Sequence, residues 1–183
     1  MTATNIRRVG LIGLGKMGNP MARHLRKAGF EVTATDISAD ACRAADAAGI
    51  KTVATAREVA AASDFVIVIV GFDGEAETAI LGQDGIASAG RPGLIVGVAS
   101  TVSPRTMQGI AARLEGTGIV LLDMPLTRGE PAAEAGKMLT MVGGDEAAFS
   151  AVKSALATLA DSIFHVGPLG AGQVGKMVNN LIL

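Results

Sequence analysis

The stretch RVGLIGLGKMGNPMARHLRKAGFEVTATD, from Arg8 to Asp36, decides the fold of this 183-residue chain. It opens with a short β-rich run that ends at Ile12, and glycines follow immediately. A helical pattern of apolar residues comes next and ends at Gly29, before a second β-rich run reaches Asp36. A strand, a helix and a strand in this order predict a βαβ unit with two parallel strands.

The loop Gly13-Leu14-Gly15-Lys16-Met17-Gly18 reads G-x-G-x-x-G in the context that a dinucleotide site requires, after a strand and at the start of a helix. We expect Gly13 to make the tight turn, Gly15 to let the backbone approach a pyrophosphate, and Gly18 to let helix and strand pack closely. All six residues are therefore predicted to bind a cofactor, with the helix N-terminus facing its phosphates. The alternative is a turn that is merely rich in glycine.

Asp36 follows Gly18 by 18 residues and ends the second predicted strand. An acid at this point hydrogen-bonds the hydroxyls of the adenosine ribose and repels a 2′-phosphate, which predicts NAD in preference to NADP. The next two residues are Ile37 and Ser38, so no arginine stands there to bind a 2′-phosphate. The alternative role for Asp36 is the N-cap of the following helix.

Strand-like and helical patterns continue to alternate along the rest of the chain. The six apolar residues from Phe65 to Val70 are typical of a central strand that is buried on both faces. We predict an α/β fold: a Rossmann-type, doubly wound, mostly parallel sheet with helices on both faces. Residues 1–168 are assigned to a NAD(P)-binding Rossmann domain, and residues 169–183 to the start of an interdomain helix that the chain end truncates.

Ligands bind such sheets at the carboxyl ends of the strands, so residues that follow later strands are also candidates. Val70, Gly71 and Thr101 are predicted to contact the cofactor, although Thr101 also fits the start of the helix at Ser103-Pro104. Arg128 follows a further strand, and its planar guanidinium suits a carboxylate, phosphate or sulfonate. The alternative for Arg128 is a solvated surface side chain.

Lys176 and Asn180 are spaced i, i+4 in the last helical pattern and therefore share one helix face. Together they could hold a substrate hydroxyl, with Lys176 relaying its proton. A free lysine has a pKa of about 10.4, so a base near neutral pH would need burial or a nearby cation to lower it. The alternative is an ordinary exposed helical lysine.

Composition excludes several classes of function. Hydrophobic residues make up 49% and charged residues 18% of the chain, whose net charge is -1, so a globular fold is favoured and nucleic acid is disfavoured as a partner. A single cysteine, Cys42, fits a reducing compartment. The longest apolar run is far short of the ~20 residues that span a bilayer. We therefore expect a cytoplasmic protein with no membrane segment and no metal site.

Taken together, these motifs resemble the β-hydroxyacid dehydrogenase family, which includes 3-hydroxyisobutyrate dehydrogenase, tartronate semialdehyde reductase and, more distantly, 6-phosphogluconate dehydrogenase. The resemblance covers nearly the whole chain. Four segments carry it: Gly13–Met21 is similar to G-L-G-x-M-G-x-x-M, Ser100–Pro104 to S-T-x-x-P, Asp123–Gly129 to D-x-P-V-S-G-G, and Gly170–Asn180 to G-x-G-x-x-x-K-x-x-x-N. It implies that Lys176 is the catalytic residue, that Asn180 orients the substrate, and that Thr127, Arg128 and Gly129 bind the substrate acid group.

The chain departs from the family pattern at two residues and in length. Thr127 replaces the usual serine, which keeps the hydroxyl, and Arg128 replaces a glycine, which changes the pocket. An arginine here resembles family members that act on substrates with a second anionic group, such as sulfolactaldehyde or hydroxy-dicarboxylates, so 3-hydroxyisobutyrate is in doubt as the substrate. Family members also continue into an all-α domain that closes the cleft and usually builds a homo-oligomer, and we expect this domain to be absent here.

The predicted function is an NAD(P)-dependent oxidoreductase that transfers hydride between a nicotinamide and a small hydroxy acid or semialdehyde, one with a second anionic group. The first alternative is an NAD-binding module that is catalytically incomplete without the all-α domain. A second is an imine reductase, which Lys176 disfavours because those enzymes generally carry another residue there.

Overall fold

The computed structural model describes residues 6–182, so the outermost ends of the two predicted ranges, residues 1–5 and 183, lie outside the described residues. Within residues 6–182, nine strands form one sheet. The strands are β1 (Arg8–Ile12), β2 (Glu31–Thr35), β3 (Lys51–Thr52), β4 (Phe65–Val68), β5 (Ile95–Val98), β6 (Val120–Asp123), β7 (Leu126–Thr127), β8 (Met138–Gly143) and β9 (Ala160–Gly167). The helices are α1 (Gly18–Lys27), α2 (Ala39–Ala47), α3 (Ala56–Ala61), α4 (Asp73–Leu81), α5 (Pro104–Leu114), α6 (Gly129–Ala135), α7 (Glu146–Leu156) and α8 (Ala171–Ile182), with a 3₁₀ turn at Ile86–Ala89.

The first six strands are all parallel and lie in the order β3-β2-β1-β4-β5-β6. The chain winds outward from β1 in one direction through β2 and β3, then returns and winds in the other direction from β4. The strand order therefore reverses between β1 and β4, where the helices that follow the two strands diverge. A crevice opens at such a switch point, outside the carboxyl ends of the strands. The predicted doubly wound, mostly parallel sheet is confirmed.

Strand β4 shows how the core is divided between the two faces of the sheet. Its four residues are fully buried, but Phe65 and Ile67 belong to one apolar cluster, whereas Val66 and Val68 belong to the other. The alternation follows from the two-residue period of a strand. Each cluster buries the apolar faces of the helices on its own side, so the sheet is sandwiched as predicted.

The far side of the sheet differs from a simple parallel repeat. Strand β8 runs antiparallel to both β6 and β7, and β9 pairs with β8. Neither β7 nor α6 was predicted, because a two-residue strand and a short helix leave too little apolar period to detect. The consequence is that β7, β8 and α8 extend the site beyond the parallel part of the sheet.

Strand β4 also ends at Val68, two residues before the predicted Val70. The backbone N–H of Val70 leaves the sheet and donates to the hydroxyl of Ser100 at 2.7 Å. The two residues after the strand therefore form a wall of the crevice rather than a sheet segment. In this part of the chain, residues 6–182, no helix has the length and apolarity to cross a bilayer.

Candidate functional site

The loop between β1 and α1 is held in an unusually close contact with its surroundings. Gly13 has φ +103°, and a Cβ there would lie 2.0 Å from the carbonyl oxygen of Ile69. A Cβ on Gly18 would lie 2.0 Å from the carbonyl oxygen of Gly13. Only glycine fits at both positions, because these contacts are with backbone that cannot move aside. The geometry gives Gly13 and Gly18 the turning and packing roles that the sequence predicts.

Gly15 is different, because a Cβ there would meet no atom within 4 Å. It is exposed, and it stands at the mouth of the loop one turn before the start of α1. The space in front of Gly15 allows a ligand to approach the backbone, and the N-terminus of α1 favours an anion there. Contact between Gly15 and a pyrophosphate stays a prediction.

Asp36 ties the end of β2 to the glycine-rich loop. Its Oδ2 accepts a hydrogen bond from the backbone N–H of Leu14 at 2.6 Å, and its Oδ1 accepts one from the N–H of Ser38 at 2.7 Å. The N-cap of α2 is Ser38, whose side chain accepts from the N–H of Ala41. The alternative reading of Asp36 as the helix cap is therefore wrong, and the half-buried carboxylate faces the crevice.

A cleft of about 940 Å³ opens at the switch point. Five of the predicted cofactor residues line it: Gly13, Gly15, Asp36, Val70 and Gly71. Leu14 and Gly18 are buried behind the loop, and Lys16 and Met17 lie outside the cleft wall. The cleft therefore collects residues from β1, β2 and β4 that are far apart in sequence.

Two apolar side chains at this cleft were not predicted. Ile37 is fully exposed, and Phe72 is 74% exposed, although both line the cleft. Together they give the cleft an apolar surface against which part of a ligand could pack. Each residue comes a few positions after the end of a parallel strand, where ligands bind such sheets, so its position in the sequence pointed to the cleft. This signal was not usable, because single exposed apolar residues are common on protein surfaces.

The cleft has the features of a dinucleotide site. Its volume lies within the usual range for ligand pockets of roughly 300–1,000 Å³. It combines an open loop backbone, a helix N-terminus, an acid at the end of the second strand and apolar rim residues. The residues present therefore fit NAD(P); the placement of its phosphates at the loop and of its adenosine ribose near Asp36 stays a prediction.

The segment that contains Thr101 lies beside the cleft but does not line it. Thr101 is exposed, and Ser103 supplies the cap of α5 by accepting from the N–H of Thr106 at 3.0 Å. Ser103, and not Thr101, therefore caps the start of α5. Its predicted contact with a cofactor stays a prediction.

Arg128 is the one described residue other than glycine with a positive φ, at +76°. A side chain rarely adopts this conformation, whereas a glycine adopts it freely. Its guanidinium donates from Nη1 to Asp161 Oδ1 at 2.6 Å and to the Lys137 carbonyl at 2.9 Å, and from Nη2 to Ser162 Oγ at 3.1 Å. Arg128 is thus anchored rather than freely solvated, and nothing in the sequence indicated the pair with Asp161.

The anchoring leaves part of the Arg128 guanidinium available. Three of its five N–H groups have partners within the described residues, and its side chain is 42% exposed. Hydrogen bonds from Ser162 and then from Arg128 hold the pKa of Asp161 below its ordinary value.

The two neighbours of Arg128 in the predicted substrate segment are placed differently. Thr127 is buried, and Gly129 begins α6 with φ +67°.

Lys176 and Asn180 lie one turn apart on α8, which packs against β8 and β9. Burial lowers the pKa of Lys176 from its ordinary value. The helix sits close to β8, since a Cβ on Gly175 would be 2.9 Å from the sulfur of Met141. Thr127 pairs with Leu139 of the same strand. The structure therefore brings the predicted catalytic helix and the predicted substrate segment against the same strand, β8.

Comparisons with known proteins agree on the kind of domain. The model of the family described as the NAD binding domain of 6-phosphogluconate dehydrogenase matches residues 8–167. The 2-(hydroxymethyl)glutarate dehydrogenase of Eubacterium barkeri is 38% identical over 176 residues, which cover 96% of this chain and 58% of that protein. The NAD-dependent L-serine dehydrogenase of Pseudomonas aeruginosa is 35% identical over 178 residues, which cover 97% of this chain and 60% of that protein.

A solved structure is similar to this chain in fold. The 3-hydroxyisobutyrate dehydrogenase of Salmonella typhimurium superposes with a TM-score of 0.88 at 33% identity, over 96% of this chain and 61% of that one. The chain spans between about half and three fifths of the length of the curated relatives it matches.

The loop geometry predicts that two glycine substitutions differ in their effect on stability. Gly18→Ala should lower the free energy of unfolding by about 1–3 kcal/mol, because the new methyl group meets the Gly13 carbonyl. Gly15→Ala should change it by less than about 0.5 kcal/mol, because that methyl group meets no atom. Urea unfolding of both variants measures the difference. Equal stability of the two would contradict the close contact.

Proposed function

The chain belongs to the β-hydroxyacid dehydrogenase family, through its NAD-binding domain, and from this we infer that it is the cofactor-binding part of an oxidoreductase that acts on the CH–OH group of a small hydroxy acid. The observation that carries the proposal is the cleft at the switch point, where the loop, Asp36 and the ends of β1 and β4 meet. The homologous dehydrogenases provide the reaction class.

We propose NAD as the preferred cofactor. The carboxylate of Asp36 stands at the cleft, where it would accept hydrogen bonds from ribose hydroxyls and would repel a 2′-phosphate. Its present bond to the N–H of Leu14 keeps this carboxylate against the loop that would hold the phosphates. When bound, the nicotinamide would supply the hydride chemistry of the reaction. The name of the Pseudomonas aeruginosa relative describes that protein as NAD-dependent, which supports this choice.

The proposed proton-transfer residue is Lys176. Its half-buried amine has a lowered pKa, so its neutral form is available at a lower pH than for a free lysine. A neutral amine accepts the hydroxyl proton of a hydroxy acid during oxidation, and the ammonium returns it during reduction. Asn180 is proposed to orient that hydroxyl from the next turn of α8.

The proposed substrate carries two anionic groups. Thr127, Arg128 and Gly129 would hold its acid groups, and Arg128 still has N–H donors for one of them. The Eubacterium barkeri relative is named for a glutarate, which is a dicarboxylate. This supports a hydroxy-dicarboxylate or a sulfonated semialdehyde over a substrate with one carboxylate.

A second candidate function is an NAD-binding module that lacks turnover on its own. The observation that favours it is the length of the chain, which spans little more than half of its curated relatives. Both candidates bind the cofactor, and only the first turns over a hydroxy acid. We also propose a cytoplasmic setting, which the single cysteine of the chain favours.

Replacing Asp36 should alter the choice of cofactor. The unaltered chain should bind NADH more tightly than NADPH, and Asp36→Ala should shift the ratio of the two affinities toward NADPH by about tenfold or more, because the repulsion of the 2′-phosphate is removed. Calorimetric titration with each cofactor measures both constants. The control is Asp40→Ala, which removes an exposed carboxylate on α2 that pairs with Arg43. An unchanged ratio in Asp36→Ala would contradict the proposal.

Replacing Lys176 should remove turnover and leave cofactor binding intact. Lys176→Met should lower kcat/KM for a hydroxy acid by roughly 10²–10⁴-fold, the usual contribution of general acid–base catalysis. In the unaltered chain, kcat/KM for oxidation should rise with pH through a pKa below that of a free lysine, because the neutral amine is the base. Lys153→Met, an exposed position on α7, is the matched control. Full activity of the Lys176→Met variant would contradict the assignment of Lys176 as the proton-transfer residue.

Replacing Arg128 should change the choice of substrate. Arg128→Gly should lower kcat/KM for hydroxy-dicarboxylates by about 10–100-fold and affect 3-hydroxyisobutyrate far less, because one charge-assisted contact is lost. The fold should be retained, because glycine accepts the φ of +76° without strain. Arg113→Ala, on the exposed face of α5, is the control. If both substrates lose activity equally, Arg128 does not select the second anion.

A further inference from the structure

The first turn of α8 is fastened by the buried carboxylate of Asp123. Its Oδ1 accepts from the N–H of Gly170 at 2.7 Å, and its Oδ2 accepts from the N–H of Gln173 at 2.7 Å. The first N–H groups of a helix have no partner inside the helix. Asp123 therefore performs the task of an N-cap from a different element, the end of β6.

The same turn is fastened a second time by the side chain of Gln173. Its Nε2 donates to the carbonyl of Ser100 at 2.8 Å, and its Oε1 accepts from the N–H of Val102 at 3.1 Å. Gln173 is completely buried. Ser100 in turn accepts from the N–H of Val70, a residue of the cleft wall. A continuous set of hydrogen bonds thus connects the cleft to the first turn of α8.

Two glycines make room for this arrangement, which we call the buried clamp and define as Asp123 and Gln173. A Cβ on Gly143 would lie 2.3 Å from Asp123 Oδ1. A Cβ on Gly172 would lie 2.3 Å from the carbonyl of Met141 and 2.8 Å from Asp123 Oδ2. No larger residue fits at either position, so the seat of α8 on the sheet is defined closely.

The clamp contains a carboxylate in an unfavourable place. Burial raises the pKa of Asp123, and the hydrogen bonds from Gly170 and Gln173 act against that rise. Burying a carboxylate costs free energy, and an apolar side chain of similar volume at such a position is often as stable. Its two oxygens do what an apolar residue cannot, which is to fix the direction of a helix start.

On the basis of the function proposed above, we propose that Asp123 and Gln173 are positioning residues for the reaction of Lys176. Lys176 follows Gln173 by one turn, so the position of its amine depends on how that turn is seated. The clamp holds the turn against β6 and against the segment from Ser100 to Val102, and this sets the amine relative to the cleft. Misplacement of a catalytic group by about 1 Å is enough to lower a rate by about 10²-fold.

Two clamp variants of the 183-residue chain test this role. Asp123→Asn keeps the shape, but its amide presents a donor to one of the two N–H groups. Gln173→Met keeps the length and removes both hydrogen bonds. The matched controls are Asp145→Asn, which changes a carboxylate that caps α7, and Gln108→Met, an exposed position on α5.

Two measurements give the readouts. Amide hydrogen exchange should accelerate by about tenfold or more for residues 174–180 in the clamp variants, with the amides of β1 and β4 unchanged. Turnover should show kcat lowered by about tenfold or more with the Kd for NADH within about twofold of the unaltered chain. The controls should leave both readouts unchanged.

The outcomes separate this inference from the proposed function. Unchanged exchange in α8, or unchanged kcat, would overturn the positioning role. So would loss of protection over the whole sheet in both clamp variants, because the residues would then support the fold in general. A lack of turnover by the unaltered chain would count against the proposed function instead, and the exchange of α8 would still decide whether the clamp seats this helix.

Discussion

The site depends on one close contact, in which the first residue of α1 lies directly against the carbonyl of Gly13. The contact leaves no room for a Cβ at Gly18, and Gly13 itself turns against the backbone beyond β4. With these residues in place, the loop that leads into α1 lines the crevice between β1 and β4 through Gly13 and Gly15. A helix N-terminus and an open backbone are then available to an anion without any charged side chain. The carboxylate of Asp36 completes the arrangement by holding the N–H of Leu14.

The second half of the site is organised by α8 rather than by the parallel strands. This helix rests on β8, which runs opposite to β6, and its start is bound to the ends of β5 and β6 through side chains. The cofactor cleft and the lysine helix are therefore parts of one hydrogen-bonded framework. Arg128 has an uncommon backbone conformation, and its guanidinium reaches Asp161 and Ser162 of β9, a strand that α8 also contacts.

Local rules explain which parts of this molecule could be predicted from sequence. The glycine spacing, the apolar run of β4 and the Ser103-Pro104 helix start each act within a few residues, and the structure has all three features. The βαβ alternation predicted a doubly wound, mostly parallel sheet, since handedness leaves few topologies; the strand order itself comes from the structure. The topology of residues 120–143 could not be predicted, because the reversed direction of β8 depends on its pairing with β6 and β7.

The candidate site shows the same division. The close contacts of Gly13 and Gly18 could be predicted, because the spacing of these glycines has a steric cause. The roles of Gln173 and Asp161 could not, because each depends on a partner 33 to 73 residues away. Asp123 belonged to a recognised motif, yet its contact with the N–H groups of α8 was not predicted for the same reason.

The most direct test of the central claim is a titration of the ¹⁵N-labelled chain with NADH, followed by NMR. The account predicts that the amide shifts change first at 13–18, at 36 and 37, and at 70–72, which are the segments around the cleft. Changes concentrated elsewhere, for example in the groove near Arg26 and Glu31, or no change at saturating NADH, would contradict the assignment of the cleft as a dinucleotide site.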